Sequence, residues 1–217
     1  MSELARPSSV RKHQAILEAA EQIFLRDGYL GANMDELAAL SQVSKQTVYN
    51  HFGSKEALFI ELVSTMTTLA GNQVHDEVPD PAAADELPTF LENYAERQLN
   101  AVLTPRILQL RRLVIGEVAR FPELGQVLWD RGPRRAMTSM AARFSRLATN
   151  GWLRIDDPAT AASFFNWLIM SGPLNQAMLL GDQAAPDPAS LRRHCAEVAR
   201  VFLAAYGRNH STTGLTR

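Results

Sequence analysis

A run of side chains that can form hydrogen bonds lies between residues 45 and 55. Glutamine and asparagine can pair with adenine through two hydrogen bonds, and threonine can contact the methyl group of thymine. Tyrosine, histidine and lysine can hold phosphate oxygens. The side chains of this kind are Lys45, Gln46, Thr47, Tyr49, Asn50, His51 and, at the start of the following helix, Lys55.

Two short helices joined by a polar turn are predicted to position these side chains. Residues 34–40 and 45–52 each carry apolar residues at helical spacing, and the turn between them reads Ser-Gln-Val-Ser. Val48 and Phe52 are the expected inward anchors of the second segment, whose remaining surface is mostly polar. A short helix with so few apolar positions gains little from burial, so it fits the exposed reading helix of a helix-turn-helix.

Capping residues predict where the helices around this turn begin and end. Asn33 is an expected N-cap with Glu36 three positions on, and Ser44 is the expected N-cap of the second segment. The residues expected to face inward from the first segment are Leu37, Ala38 and Leu40. A preceding helix over residues 10–27 has an apolar stripe on one side and ends at Gly28. That stripe consists of Ile16, Ala19, Ala20, Ile23 and Phe24.

A family resemblance bears on the choice between a DNA reader and an ordinary helical hairpin whose polar side faces water, which the pattern alone leaves open. The run from Ala20 to Phe59, with F-x-x-x-G-Y early and SKQTVYNHFGSKEALF late, resembles the DNA-binding domain of the TetR family of transcriptional regulators. By that resemblance, the DNA-contacting positions fall on the residues named above. Ser44 joins Lys45 and Lys55 on the side of the DNA backbone.

Two positions depart from the pattern of that family, whose members often carry glycine where this chain has Gln42 and Gln46. A residue other than glycine in a left-handed conformation costs about 1 kcal/mol, so the turn at Gln42 is expected to be slightly strained or differently shaped. Gln46 is expected to be an additional base reader.

A second helical part is predicted to follow the helix-turn-helix. Residues 76–89 are acidic and rich in proline and alanine, which marks a boundary between an N-terminal domain, residues 1–75, and a C-terminal domain, residues 76–217. Asp-Pro, Thr-Pro and glycine-containing breaks divide the remainder into helices. The expected helices cover residues 86–102, 105–120, 123–130, 134–149, 158–181 and 188–206. The predicted fold class is all-α, a three-helix helix-turn-helix domain followed by a helical ligand-binding and dimerisation domain.

The C-terminal part resembles TetR-family regulators of the AcrR and AefR type through the runs FPELGQVLWDRGPRRA and GWLRIDDPATAA. Such domains bind ligands and form dimers, so the resemblance implies these two activities. It implies no particular ligand.

Bulky apolar residues around the helix 105–120 are candidates for a ligand pocket. This helix is apolar almost all round, which predicts burial on every side. Arg111, if it lies inside, must be paired or serve a ligand, because an isolated buried charge is very costly; the alternative is that it reaches solvent or a salt-bridge partner. The candidate ligand-binding residues, several of which are equally suited to a plain core, are Phe90, Tyr94, Arg111, Val114, Trp129, Phe144, Phe165 and Met170. They favour a small hydrophobic or aromatic effector.

The last two predicted helices are the candidate dimer interface. Residues 158–181 carry more apolar surface than one face of a helix can bury, so a second subunit is expected to cover part of it. The candidate dimerisation residues are Phe164, Trp167, Leu191, Val198 and Phe202. In the family that the chain resembles, the corresponding helices form a four-helix bundle across a two-fold axis.

Composition excludes several other classes of protein. The net charge of −1 argues against a protein that coats nucleic acid, and all three lysines lie within the first 55 residues, so affinity for DNA must be local. No catalytic motif, cofactor motif or metal-ligand spacing is found, and no segment predicts a signal peptide or a membrane span. The lone cysteine, Cys195, lies on an apolar stripe, which favours a buried hydrophobe over a redox sensor.

The resulting prediction is a cytoplasmic, ligand-responsive transcriptional regulator that is not an enzyme. It is expected to act as a repressor that binds a palindromic operator as a homodimer and is released by a small hydrophobic or aromatic ligand. The alternative is an architectural or ligand-independent DNA-binding protein. A C-terminal core that binds no hydrophobic compound would favour that alternative.

Overall fold

Helices account for most of the chain in the computed structural model, which describes residues 7–75 and 79–208. In chain order they are α1 (Pro7–Gly31), α2 (Met34–Leu40), α3 (Lys45–Phe52), α4 (Lys55–His75), α5 (Leu87–Val102), α6 (Pro105–Glu117), α7 (Pro122–Trp129), α8 (Arg135–Thr149), α9 (Pro158–Leu180) and α10 (Pro188–Tyr206). Short 3-10 turns occupy Ala84–Glu86 and Asp182–Ala184, and a π-helical turn occupies Asp130–Arg134. The predicted all-α class is confirmed. Residues 76–78 of the predicted domain boundary lie outside the described residues.

The predicted helix starts at Asp157 and Asp187 are confirmed by their capping geometry. The Asp157 carboxylate accepts a hydrogen bond from the backbone N–H of Ala159 at 3.0 Å, and the Asp187 carboxylate accepts one from Ala189 at 2.8 Å. A hydrogen bond from a side-chain hydroxyl, that of Thr160 or Ser190, is the main cause that lowers the pKa of each carboxyl. Each cap is followed by proline at the first helical position, where its missing N–H costs nothing.

The described chain divides into two compact units that are not continuous in sequence. One unit comprises the residues up to Leu69 together with Pro105–Arg131, and the other comprises Ala70–Thr104 together with the residues from Gly132 onwards. Helix α4 therefore begins in the first unit and ends in the second. The linear division after residue 75 assigned α6 and α7 to the C-terminal domain, whereas they pack within the first unit; the division into functional domains stays a prediction.

The first unit is built around α1. Its predicted apolar stripe is buried throughout, and Gly28, with φ of +73°, interrupts the helix where its end was predicted. Helix α6 is tied to α1 by an ion pair between Arg106 and Glu21. The ring of Phe121, at the start of α7, meets the ring of Tyr29 edge-on, with centroids 4.6 Å apart. These contacts join residues that are far apart in sequence.

Two expectations about burial in the first unit were wrong. Leu40 was expected to face inward but is 47% exposed, because α2 ends there and the last residue of the helix lies beyond its inward face. Helix α6 was expected to be buried on every side, whereas Ile115 is 59% exposed, so one side of the helix near its end at Glu117 is uncovered.

The core of the second unit is aromatic and is formed by α5, α8, α9 and α10. The ring of Phe202 stacks on that of Phe144 at 4.7 Å between centroids and lies 4.9 Å from that of Phe165. Beyond the helices, a single antiparallel bridge in the described chain joins Leu153 to Gly207. This bridge fixes the end of α10 against the loop that follows α8.

Candidate nucleic-acid interface

The turn between α2 and α3 is held by backbone and side-chain hydrogen bonds. The Asn33 amide oxygen accepts from the backbone N–H of Asp35 at 2.8 Å, which confirms the predicted cap of α2. At the other side of the turn, the Ser44 hydroxyl oxygen accepts from the backbone N–H of Thr47 at 3.1 Å, which confirms the cap of α3. The buried Ser41 hydroxyl donates to the Leu37 carbonyl at 2.8 Å. The angle between the two helices is therefore specified locally.

Gln42 adopts a left-handed backbone conformation, with φ of +55°, and is the only non-glycine residue with positive φ in the described chain. The N–H of Gln42 donates to the Ala39 carbonyl at 3.1 Å and the N–H of Val43 donates to the Ala38 carbonyl at 3.0 Å. This pair of bonds is the Schellman motif, which normally places glycine where Gln42 stands. The chain thus keeps the turn shape that glycine would give and accepts the strain that the sequence predicted.

Helix α3 is anchored by Val48 and Phe52, whose side chains are buried as predicted. Its remaining predicted DNA-contacting residues lie on the surface: Ser44, Lys45, Gln46 and Asn50 are exposed, and Thr47, Tyr49 and His51 are half-buried. An eight-residue helix with two buried anchors leaves most of its circumference available to a partner. The geometry suits insertion into a DNA major groove, which is wide enough to admit one helix.

Neighbouring polar side chains already order two of the candidate readers. Gln46 Nε2 donates to Asn50 Oδ1 at 2.9 Å, one turn along the same helix. Lys45 Nζ donates to Asp35 Oδ2 on α2 at 3.0 Å. Both contacts are at the surface, where such bonds contribute little stability and are easily exchanged for contacts with DNA.

Lys55 occupies a position different from that of the other candidates. Its ammonium group donates to the Ala32 carbonyl at 2.7 Å and lies 5.0 Å from the centre of the Tyr29 ring. Burial, with a smaller contribution from the charge of Arg120, lowers the pKa of Lys55. In this structure Lys55 therefore ties the start of α4 to the end of α1, which the sequence pattern around it did not reveal.

His13 is a further residue of this region that the sequence analysis did not identify. Its ring stacks on that of Phe52 at 4.6 Å between centroids, and its Nε2 lies 2.6 Å from the Glu61 carboxylate. The ring of His51 is 5.9 Å away. His13 thus joins α1, α3 and α4 beneath the reading helix. A signal was available, since histidine three residues before the buried Ile16 continues the apolar stripe of α1.

The candidate ligand-binding residues divide between the two units. Phe90, Tyr94, Phe144, Phe165 and Met170 all belong to the aromatic core of the second unit. Burial raises the pKa of Tyr94, so its hydroxyl is a neutral hydrogen-bonding group. The remaining three, Arg111, Val114 and Trp129, lie on α6 and α7 in the first unit. The structure brings five of the eight into one cluster.

Arg111 is half-buried on α6, beside the buried Leu108 and Val114. Burial alone lowers its pKa, and no ion pair or hydrogen bond compensates within the described chain. A partly desolvated guanidinium without a partner is unfavourable. Arg111 therefore has no salt-bridge partner among the described residues and is only partly exposed to solvent.

The candidate dimerisation residues fall into two groups. Phe164 and Trp167 on α9 are 55% and 43% exposed. Leu191, Val198 and Phe202 on α10 are instead buried in the core of their own chain, so their apolar side chains are already covered. An apolar groove of about 540 Å³ runs between the two helices. It is lined by Phe164, Trp167, Leu168, Ser171, Val201, Phe202, Ala205 and Tyr206.

Cys195 is buried on α10, as its place on the apolar stripe predicted. Burial, followed by the charges of Glu96 and Glu92, raises the pKa of its thiol to about 11. A thiol with so high a pKa is protonated and unreactive near neutral pH. Over the described residues, no group of acidic, histidine or cysteine side chains is arranged to hold a metal ion, and no helix is long and apolar enough to cross a membrane.

Comparisons with known proteins agree with this geometry. Residues 16–62 match the sequence profile of the bacterial regulatory proteins of the tetR family, and residues 89–208 match the profile of the AefR-like transcriptional repressor C-terminal domain. The HTH-type transcriptional repressor AcnR of Corynebacterium efficiens is 37% identical over 171 residues, which cover 75% of this chain and 80% of that protein.

Solved structures are similar over nearly the whole chain. A TetR-family transcriptional regulator from Mesorhizobium loti superposes with a TM-score of 0.86 at 32% identity, covering 94% of this chain and 100% of the other. The flavonoid-responsive regulator FrrA superposes with a TM-score of 0.76 at 26% identity, covering 92% and 99%.

Proposed function

Because the chain belongs to the TetR family of helix-turn-helix transcriptional regulators, which are not enzymes, we propose that it is a repressor that binds a palindromic operator as a homodimer. The observation that carries this proposal is the exposed polar surface of α3, held by Val48 and Phe52. The name of AcnR describes a repressor, which supports repression over activation. Because a regulator of bacterial transcription acts on the chromosome, we propose that the protein is cytoplasmic.

In the proposed complex, the exposed side chains of α3 divide between bases and phosphates. Gln46, Thr47 and Asn50 contact base edges, since amides and the threonine methyl distinguish adenine and thymine. The groups proposed for the DNA backbone are Ser44, Lys45, Tyr49, His51 and Lys55. The ammonium group of Lys55 is already bonded to the Ala32 carbonyl, so Lys55 is the weakest member of this set.

A homodimer would present two copies of α3 to one face of the DNA. Two half-sites, about one helical turn or slightly more apart, then follow from the two-fold symmetry of the protein. The exposed Phe164 and Trp167, and the groove between α9 and α10, are the surface proposed for the second subunit. Side chains as large as these are rarely left in water together unless a partner covers them.

A small hydrophobic or aromatic effector is proposed to release the operator. The aromatic core of the second unit supports this part of the proposal, and FrrA, named as flavonoid-responsive, supports the aromatic class. The effector must favour one state of the dimer over the other by about 1–3 kcal/mol to change DNA affinity noticeably. Helix α4, whose two ends belong to different units, is the element proposed to transmit that preference.

Selection from a random duplex DNA library with the purified full chain tests the operator proposal. The expected product is a palindrome whose half-sites change when Gln46 or Asn50 is replaced by alanine. Asn100→Ala, an exposed asparagine on α5, is the matched control and should select the same palindrome as the unmodified chain. A library that shows no enrichment would contradict DNA reading, and unchanged half-sites in both α3 variants would remove Gln46 and Asn50 as base readers.

Fluorescence anisotropy with the selected palindrome tests the effector proposal. Adding the flavonoid naringenin, a hydroxylated aromatic ketone, should release a labelled duplex, and glucose at the same concentration is the control. A complex that neither naringenin nor any other aromatic compound of a chemically diverse set weakens would favour the ligand-independent alternative.

A further inference from the structure

Two amide side chains lie buried within the apolar core of the second unit. Gln98 on α5 is 5% exposed and Asn166 on α9 is 4% exposed. Gln98 Nε2 donates to Asn166 Oδ1 at 2.8 Å. This bond leaves Gln98 Oε1 and Asn166 Nδ2 buried without a protein partner among the described residues. Two side chains that are bonded to each other therefore hold one unpaired acceptor and one unpaired donor.

Either orientation of the two amide groups leaves one donor and one acceptor unpaired. Exchanging the two atoms in both side chains reverses the direction of the bond between Gln98 and Asn166 and again leaves one carbonyl oxygen and one NH2 group unpaired. Buried polar groups in folded proteins are nearly always hydrogen-bonded. The pair thus calls for a molecule that offers a donor and an acceptor close together.

The surroundings of the pair are aromatic and adaptable. Tyr94 precedes Gln98 by one turn of α5, and Met170 follows Asn166 by one turn of α9, both within the same core. The ring centroids of Tyr94 and Phe165 are 6.1 Å apart. Methionine changes its shape readily to admit a ligand, and aromatic rings favour a flat apolar partner.

We propose that Gln98 and Asn166 form a recognition site for a neutral aromatic compound that carries a hydrogen-bond donor next to an acceptor. A carboxamide, or a hydroxyl beside a carbonyl, has this chemistry. A carboxylate does not, because it offers only acceptors at neutral pH and would bring an uncompensated charge to two neutral amides. The inference rests on the proposed function only in taking this site to be where the effector binds.

Three small probes of nearly equal shape test the site in the absence of DNA. Benzamide offers both a donor and an acceptor, acetophenone offers an acceptor alone, and benzoate is an anion. Calorimetric titration of the full chain should show benzamide binding at least about tenfold more tightly than either of the others, since a site built to bond an N–H discriminates against analogues that lack it. Equal affinities for benzamide and acetophenone would overturn the proposal.

A double variant, Gln98→Met with Asn166→Leu, removes all four amide atoms while keeping the volume of the core. It should bind benzamide no better than acetophenone, whereas the surface variant Asn100→Ala should keep the benzamide preference. If the double variant does not fold, the side-chain NH2 resonances of Gln98 and Asn166 in the unmodified chain serve instead. They should shift with benzamide and stay in place with acetophenone. Shifts confined to other residues would contradict the assignment.

Failure of this site and failure of the proposed function give different results. Selective binding of benzamide together with an operator complex that no aromatic compound weakens would uphold the site and contradict its regulatory role. Release of the operator by naringenin from both the unmodified chain and the double variant would uphold regulation and overturn Gln98 and Asn166 as the recognition pair.

Discussion

Helix α3 of the first unit and two helices of the second unit, α5 and α9, place some of their polar and apolar side chains in opposite ways. In the first unit, α3 keeps its two apolar anchors inside and its polar residues outside, as a surface helix usually does. In the second unit, two pairs of side chains depart from this rule: the amides of Gln98 and Asn166 lie inside, and the rings of Phe164 and Trp167 lie outside.

This difference shows where functional information is found in each unit. For α3, exposure of polar groups is ordinary, so the information lies in which polar residues are present and in their order along the helix. In the second unit, the exceptions to the burial rule are themselves informative, because each has an energetic cost that a partner would remove. The inside exceptions suit a small ligand and the outside exceptions suit a second subunit.

The largest effect on stability is expected at Phe165, which is buried, in comparison with the adjacent Phe164, which is exposed. Phe165→Ala should lower the free energy of unfolding by about 3–5 kcal/mol, because it removes a buried ring from the aromatic core. The loss should be the same at every protein concentration in urea denaturation. Phe164→Ala is the matched control and should cost under about 1 kcal/mol at low concentration. Equal losses for the two variants would contradict the inside and outside assignment.

A charged residue introduced into the proposed dimer surface should weaken dimerisation without unfolding the protein. Trp167→Glu should weaken the dimer at least about 100-fold, since the carboxylate would have to lose its water in the interface, while the helical circular dichroism stays unchanged. Analytical ultracentrifugation measures the change. Leu179→Glu, on the same helix at an 80% exposed position outside the groove, is the control and should remain dimeric. A Trp167→Glu protein that sediments as a dimer would move the interface elsewhere.

Substitutions of Lys45 and Lys55 should have different effects, because Lys45 is proposed to contact DNA whereas Lys55 stabilises the first unit. Lys45→Ala should reduce the dependence of log K on log[salt] by about one and leave stability within about 0.5 kcal/mol, because its ion pair with Asp35 is exposed. Lys55→Ala should lower stability by about 1 kcal/mol through loss of its bond to the Ala32 carbonyl, with little change in salt dependence. Salt titrations of DNA affinity and urea denaturation distinguish the two, and the reverse result would restore Lys55 as the principal phosphate contact.

The smallest effect on stability is expected at the helix-ending turns of α2 and α8, which have the same shape but carry Gln42 and Gly151 at the equivalent position. Helix α8 ends as α2 does, with bonds from Gly151 N–H to the Ala148 carbonyl and from Trp152 N–H to the Leu147 carbonyl, both 2.9–3.0 Å long. Gln42→Gly should stabilise the protein by about 0.5 kcal/mol, the relief of strain being partly offset by the entropy of glycine. Gly151→Gln should destabilise it by about 1 kcal/mol. Thermal unfolding of both variants measures the difference, and a loss of stability in Gln42→Gly would mean that the Gln42 side chain contributes more than its backbone costs.

The parts of the fold that local rules govern were predictable from the sequence. The caps at Asn33, Ser44, Asp157 and Asp187 depend on residues two or three positions away, so the sequence pattern contained all the information that was needed. The anchors Val48 and Phe52 followed from helical periodicity in the same way.

Contacts between distant residues were not predictable by these rules. Gln98 and Asn166 are 68 residues apart, and Arg106 and Glu21 are 85 residues apart, so only the packing of whole helices brings each pair together. The same reason explains Lys55, whose partner is the carbonyl of Ala32, directly after the end of α1. Apolar composition alone also could not separate Phe164 from Phe165, because a helix with apolar residues in succession does not indicate which of them faces the core.

The first unit is formed by two separate segments of the sequence, and this determines the order in which the two units can fold during translation. Helices α1 to α3 are translated early, yet α6 and α7, which complete their packing, end only at residue 129. The segment Ala70–Thr104 is translated between the two segments of the first unit. It can complete its packing only later, because α8 to α10 of its own unit are translated last. The DNA-reading unit can thus be finished about 80 residues before the other, some 4–16 seconds at ordinary rates of synthesis. During that interval the nascent chain would carry a complete reading helix without the surface proposed to pair it with a second copy.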